Sequence, residues 1–239
     1  MSILTARADA QSVSATDGRI FAIDIGGRRV QLTDSERDFA PSLSPDGRLV
    51  VFVRHTPGKT VRVGWGDAEA REIWIVGADG TSPKLLVRGA EGNPWGKTLA
   101  QLDRPAFLSD SRRVVFDSAL AAVDGTINLV EVDSGTVISV GGGNHVEVVR
   151  TGRYRDHLIA RRHRYYRGGG SYDCFWLLKL DGSPVGPIGP DEADVARFTA
   201  AVASGNDMPF TWACDDLRGQ VDDPLGPACD TPAGPAGRP

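Results

Sequence analysis

The chain has 239 residues, 41% of them hydrophobic and 24% charged, and a formal net charge of -4 at pH 7. That length allows one large β-domain or two smaller ones, and the composition excludes both a disordered acidic chain and a nucleic-acid binder working through bulk positive charge. The longest apolar runs, such as Leu49 to Val53 and Phe175 to Leu178, fall far short of the ~20 residues of a membrane-crossing helix.

Met1 to Val13 carries neither a basic start nor a continuous apolar stretch, so no export signal is expected there. The segment "RIFAIDIGGRRVQLT" then reads as two strands about a glycine turn. In "SLSPDGRLVVFVR", residues 42 to 54, proline presets φ for the first turn position and glycine accepts positive φ, so the chain reverses into an alternating β-branched strand. "EIWIVGADGTSPKLLV" follows as a second strand pair about Asp79-Gly80. The order repeats at "RPAFLSDSRRVVFDS" and "INLVEVDSGTVISV", and again, more weakly, at "HVEVVRTGRYRDHLIAR" and "CFWLLKLDGSPVGPI". The unit is four short antiparallel strands recurring every ~40 to 65 residues, the range of propeller blades, which bury both faces only by stacking on one another. A β-sandwich made from the same hairpins is the other all-β reading.

Ser44-Pro45-Asp46-Gly47-Arg48 with Val50-Val51-Phe52, then Glu72-Ile73-Trp74-Ile75-Val76 and Ala78-Asp79-Gly80, resembles the WD-like propeller repeat of TolB, and is similar to the propellers of the prolyl oligopeptidase and dipeptidyl peptidase families. The resemblance covers about residues 17 to 190. It implies an all-β propeller fold and a periplasmic or cell-envelope setting; TolB resembles a six-bladed ring, whereas the repeats counted in this chain make a small β-propeller of about three and a half to four four-stranded antiparallel blades. It says little of chemistry, because the matching residues make turns and fill blades. Here the repeats open at a third strand, "DGRIFAID". Either Thr5 to Ala15 and Phe210 to Ala213 complete the first blade, or the array stays open and pairs with another chain.

On such a scaffold the long connections share the face of the strand-two-to-strand-three loops: residues 54 to 71, 87 to 103 and 161 to 173. They carry the candidate binding residues Trp65, Trp95, Arg161, Arg162, Arg164, Tyr165, Tyr166, Arg167 and Tyr172, the side-chain types enriched at interface hot spots. Between Arg150 and Arg167 seven arginines face one acid, Asp156, while Gly189 to Pro239 holds nine Asp or Glu against three Arg. The basic stretch is therefore either a patch for an anionic ligand or acidic partner, or a solvated hairpin balanced by the protein's own acids.

No GxSxG elbow, P-loop, GxGxxG or HExxH is present, and His55 with His163 is the one pairing of the four histidines that a shared face would allow. No cofactor and no metal are expected. Cys174 sits in an apolar run as a buried thiol, and Cys214 and Cys229 are the pair available for a disulfide in an oxidising compartment. "PDEADVARFTAAVAS" reads as one amphipathic helix capped by Asp191, with Val195, Phe198 and Val202 on its apolar face. The expected organisation is propeller repeats over 1–190, a packed helix and strand over 191–218, and a disordered Pro- and Gly-rich tail over 219–239. The expected function is a non-catalytic scaffold for a protein or anionic ligand, with the propeller or an accessory fragment of a peptidase- or lyase-type enzyme as the alternative.

Overall fold

The computed structural model describes residues 10–92, 98–120, 125–165 and 171–206. The chain folds as two compact units, Met1–Val148 and Val149–Pro239. The fold class is all-β, built of propeller-type antiparallel blades, with one helix near the C-terminal end.

In the first unit, β1 (Ala10–Thr16), β2 (Arg19–Asp24) and β3 (Arg29–Gln31) form a three-stranded sheet. A four-stranded sheet follows in the order β4 (Asp38–Leu43), β5 (Leu49–Arg54), β8 (Glu72–Gly77), β9 (Lys84–Arg88), and β6 (Thr60–Val63) with β7 (Gly66–Glu69) makes a separate hairpin between its two middle strands. The next sheet runs straight through β10 (Ala100–Phe107), β11 (Arg113–Ala119), β12 (Gly125–Glu131) and β13 (Val137–Gly142). β14 (Asn144–Val148) closes the unit and lies against β10, β11 and β12.

Strand periodicity decides what each face buries. On β5, Val50 and Phe52 point to the first sheet, where they meet Ile20, Ala22 and Leu32. Val51 points the other way and joins Ile73 and Ile75 against Leu102, Phe107, Val114, Phe116 and Val130 of the third sheet. Phe52, Phe107 and Phe116 are fully buried, each contributing roughly 3 kcal/mol through area removed from water. The far face of the first sheet is polar instead: Ser14 sits across from Phe21, and Arg29 lies 3.6 Å over the Phe21 ring while its guanidinium donates to Thr16 Oγ1 at 3.0 Å.

The turns work as their residues require. Ser44 Oγ accepts from the N–H of Leu49 at 2.9 Å and donates to Asp46 at 2.6 Å, and Gly47 takes φ 71°. In the second copy Asp110 accepts from the N–H groups of Arg112 and Arg113, and Ser111 occupies the left-handed position, at φ 57°, that glycine fills in the first.

In the second unit β15 (Leu158–Tyr165), β16 (Ser171–Leu178) and β17 (Pro184–Gly189) pair antiparallel, and α1 (Glu192–Ala203) covers one face. Asp191 caps α1 in a reciprocal box with Asp194, and Val195, Phe198 and Val202 pack on Val149, Ile159, Phe175, Leu177 and Ile188. The turn at Thr151-Gly152 forms as expected, and a Cβ on Gly152 would stand 2.7 Å from the Val202 carbonyl oxygen, so that turn is tied to the helix by close approach.

Two expected loops are corrected. Residues 54 to 71 hold the β6–β7 hairpin, because Val61, Val63, Ala68 and Ala70 alternate and bury against Ala100. Most of 161 to 173 is strand, since β15 continues to Tyr165 and β16 begins at Ser171. Of the stretch Thr5 to Ala15, residues 10–15 lie in β1 and residues 5–9 lie outside the described residues. Trp95, Tyr166, Arg167, Phe210 to Ala213, Cys214, Cys229 and the tail after Gly219 lie outside the described residues.

Candidate functional site

The first strands of three successive repeats share one irregularity. Ala40 in β4, Arg104 in β10 and His145 in β14 occupy matching positions and all take positive φ, 48°, 50° and 55°. Pairing registers shift beside the first two, between Phe39 and Ser42 and between Asp103 and Ala106. Left-handed backbone at residues other than glycine costs on the order of 1 kcal/mol each, and such positions concentrate where function holds them. The kinks stand at the end of the first unit that also bears the β6–β7 hairpin.

That end carries a continuous polar network. The His55 ring stacks on Phe39 with centroids 4.3 Å apart, and its Nδ1 lies 2.9 Å from Glu69 Oε2. Glu69 also accepts from the N–H of Thr56 at 2.8 Å and from Arg71 Nε at 3.3 Å. Burial works to raise the Glu69 carboxyl, but His55, the Thr56 N–H and Arg71 together hold it below the ordinary value. Arg71 reaches on to Asp103 at 3.4 Å, and Asp103 stands opposite Asp117 in the β10–β11 register. Asp117 is buried and accepts from the N–H of Val146 at 3.4 Å. Burial first, and the Asp103 charge second, push its carboxyl up to about 6, against the N–H groups of Val146 and His145 and the charge of Arg104.

The turn of the β6–β7 hairpin presents Trp65, 48% exposed, one of three large hydrophobic residues exposed among the described residues. The hairpin is tied at its turn and along β6: Gly64 N–H, next to Trp65, donates to the Leu120 carbonyl at 3.1 Å, and Arg62 N–H to Glu91 at 3.3 Å. A cavity of about 320 Å³ lies at the opposite end of the second sheet, between the β4–β5 and β8–β9 turns, lined by Asp46, Arg48, Asp79 and Ser82. It does not include the network.

In the second unit the expected arginine patch divides between two faces. His163 pairs with Asp173, Arg161 with Phe175, Arg162 with Cys174 and Arg164 with Tyr172 in the β15–β16 register. Arg161, His163 and Asp173 therefore share one face, where Arg161 is ion-paired to Asp173 and His163 Nδ1 lies 2.8 Å from it. Burial opposes, but those two partners hold the Asp173 carboxyl below its ordinary value. Arg162, Arg164, Tyr172, Cys174 and Trp176 share the other face. Arg164 is buried, 5.4 Å from the Trp176 ring centroid, and the Cys174 thiol is pushed up to about 12 by burial, which makes it unreactive at neutral pH. Tyr165 ends β15.

Both His55 and His163 bond a carboxylate, and in its bonds to the described residues His55 meets no hydroxyl or thiol it could activate. Among the described residues no group of three His, Cys, Asp or Glu side chains could hold a metal ion. Glu69, Arg71, Asp103 and Asp117 were not expected as site residues. The alignment of the Ala40-Pro41 and Arg104-Pro105 repeats puts Asp103 at the place of Phe39 and is a signal for that residue alone; Glu69, Arg71 and Asp117 have no local sequence signal.

No protein-family model and no curated protein matches the chain. Among solved structures it is similar to the β-propeller domain of the Trilobed protease from Pyrococcus furiosus, at 15% identity over 70% of this chain and 47% of that one, TM-score 0.47. It is similar to dipeptidyl peptidase 4 of Porphyromonas gingivalis at 12% identity, covering 75% of this chain and 31% of that one, TM-score 0.48. For oligogalacturonate lyase from Vibrio parahaemolyticus the identity is 15%, the coverage 73% and 43%, and the TM-score 0.48. The chain thus spans less than half the length of each of these structures, and the likeness concerns their β-sheet architecture.

Proposed function

We propose that this chain is a propeller-type binding module, TolB-like and WD-like in its repeats, that takes a protein partner or an anionic ligand on its long connections and does no chemistry of its own. The observation that carries this reading is Trp65: a large aromatic side chain held half in water at the tip of a hairpin whose strands are packed and whose turn is hydrogen-bonded through Gly64. A rigid exposed tryptophan loses little side-chain entropy on binding and offers a large contact area. In the second unit Arg161 and Arg162 of β15, with Tyr172, are the candidate anionic contacts, while Arg164, expected with them, is buried beside Trp176; Trp95, Tyr165, Tyr166 and Arg167 are proposed with them from sequence. The repeat resemblance supports a periplasmic or envelope setting.

The test is titration of the full chain with an octaglutamate peptide, repeated on Trp65→Ala and on a variant with Arg161 and Arg162 changed to Ser. Saturable binding, weakened about tenfold by either change, supports the module. No binding, or binding that ignores both changes, counts against it.

A second reading, the propeller of a larger peptidase- or lyase-type enzyme, draws on the His55–Glu69 and His163–Asp173 contacts at 2.9 and 2.8 Å. It expects a turnover that His55→Gln or His163→Gln abolishes without lowering the melting temperature.

A further inference from the structure

The cavity between the β4–β5 and β8–β9 turns lies wholly within the first unit, at the other end of the second sheet from the polar network. The two turns stand side by side: Leu49 pairs with Gly77 in the β5–β8 register, and Ala78 N–H donates to the Arg48 carbonyl at 2.8 Å. Both are tied to the third sheet. Asp46 N–H donates to Ser111 Oγ at 3.2 Å, and the Lys84 ammonium donates to the carbonyls of Val132 and Asp133, each at 3.3 Å. A cavity of about 320 Å³ held in this way is preformed, and its size, near the lower end of pockets that take small molecules, suits a ligand of few atoms.

Leu49 and Ile75 share the sheet face that Val51 buries, and they give the cavity an apolar floor. Gly77 continues that face without a side chain. A Cβ there would stand 2.5 Å from Asp79 Oδ1, so the glycine is what lets the Asp79 carboxylate lie back over the end of β8. Asp79 Oδ1 is fixed by the N–H and the hydroxyl of Thr81, at 3.0 and 2.6 Å. On the facing turn Asp46 Oδ1 accepts from the Ser44 hydroxyl at 2.6 Å and from the Arg48 N–H at 3.2 Å. Burial works to raise the Asp46 carboxyl, but these bonds and the Arg48 charge hold it below its ordinary value, so it is ionised at neutral pH. The Arg48 guanidinium is near enough to act on Asp46, yet it makes no ion pair or side-chain hydrogen bond among the described residues.

We infer that this cavity binds a free α-amino acid with an apolar side chain, its ammonium between Asp46 and Asp79, its carboxylate on Arg48 and its stem on Leu49 and Ile75. An amino acid carries both charges on a single carbon, which matches Arg48 and Asp46, two residues apart on one turn. The guanidinium offers a planar fork to the carboxylate, and the ammonium donates charge-assisted bonds to two carboxylates whose positions the turns already fix. The stem covers apolar surface that water otherwise meets.

The test is calorimetric titration of the full chain with L-norleucine, with L-norleucinamide, which keeps the ammonium and loses the carboxylate, and with N-acetyl-L-norleucine, which does the reverse. The wild type binds norleucine saturably and each analogue about tenfold more weakly or worse. Arg48→Gln weakens norleucine about tenfold and keeps the wild-type melting temperature, since the guanidinium holds nothing else. Asp46→Asn keeps an acceptor for the turn, loses the charge and weakens norleucine by a similar factor; if that variant fails to fold, Arg48→Gln still decides the matter. Trp65→Ala binds norleucine as the wild type does, so failure here and failure of the hairpin surface are read separately. No saturable binding of norleucine, equal binding of either analogue, an affinity unchanged in Arg48→Gln or in folded Asp46→Asn, or one lost in Trp65→Ala would each overturn the assignment.

Discussion

Two buried aspartates of the first unit, Asp38 and Asp117, behave in opposite ways because only one has a cation in contact. Asp38 is fully buried and receives Arg54 in a two-pronged bond, Nε at 2.6 Å and a second nitrogen at 2.9 Å. Arg54 stands in turn beside Glu72 and Arg88, residues that face one another across β5, β8 and β9, so charges alternate over the whole width of the sheet. Asp38→Ala leaves Arg54 without its partner in a half-buried place and is expected to cost about 3 kcal/mol in chemical denaturation. Asp117→Asn is expected to do the reverse. Its folded value, about 6, lies above the ordinary 3.8, so the native state holds the proton more tightly. That contribution is fully present below pH 3.8 and is lost as pH rises through 6. The amide should therefore stabilise the chain by up to about 3 kcal/mol at pH 8 and by little at pH 3, which denaturation at the two pH values checks.

At the scale of elements, the turns and the helix were legible because their signals are local. Ser44-Pro45-Asp46-Gly47 names its own turn, and Asp191 stands before a 3.6-residue apolar pattern, so both appear where the residues put them. Asp191→Ala is expected to lose about 1 kcal/mol, seen as a lower melting temperature of the helical signal at 222 nm. What stayed hidden depends on distant partners. The β6–β7 hairpin is short and its apolar residues find their surface only on Ala100, forty residues from Thr60. The arginine stretch read as one patch because its composition is uniform, yet the two-residue period of β15 sends Arg161 to one face and Arg162 and Arg164 to the other. The positive φ of Arg104 and His145 has no sequence signal of its own, and with it the neighbourhood of Asp117 was invisible.

At the scale of the molecule, each unit ends its stack of sheets by a different device. The first sheet closes its far face with Ser, Thr and Arg side chains around Phe21, and the second unit closes one face of its sheet with α1. Surfaces finished in this way leave the connections between strands as the place for partners, and Trp65 is the described aromatic residue most fully offered there. Trp65→Ala should leave the melting temperature within the range of a surface change, about 0.5 kcal/mol, since the hairpin is held by Val61, Val63, Ala68 and Ala70. The deciding measurement is calorimetric titration of the full chain and of Trp65→Ala with the octaglutamate peptide, both proteins at matched melting temperature. A saturable heat in the wild type that weakens about tenfold in the variant is the expected result. Equal binding by the two proteins, or none by the wild type, would contradict the assignment of the β6–β7 hairpin as a binding surface.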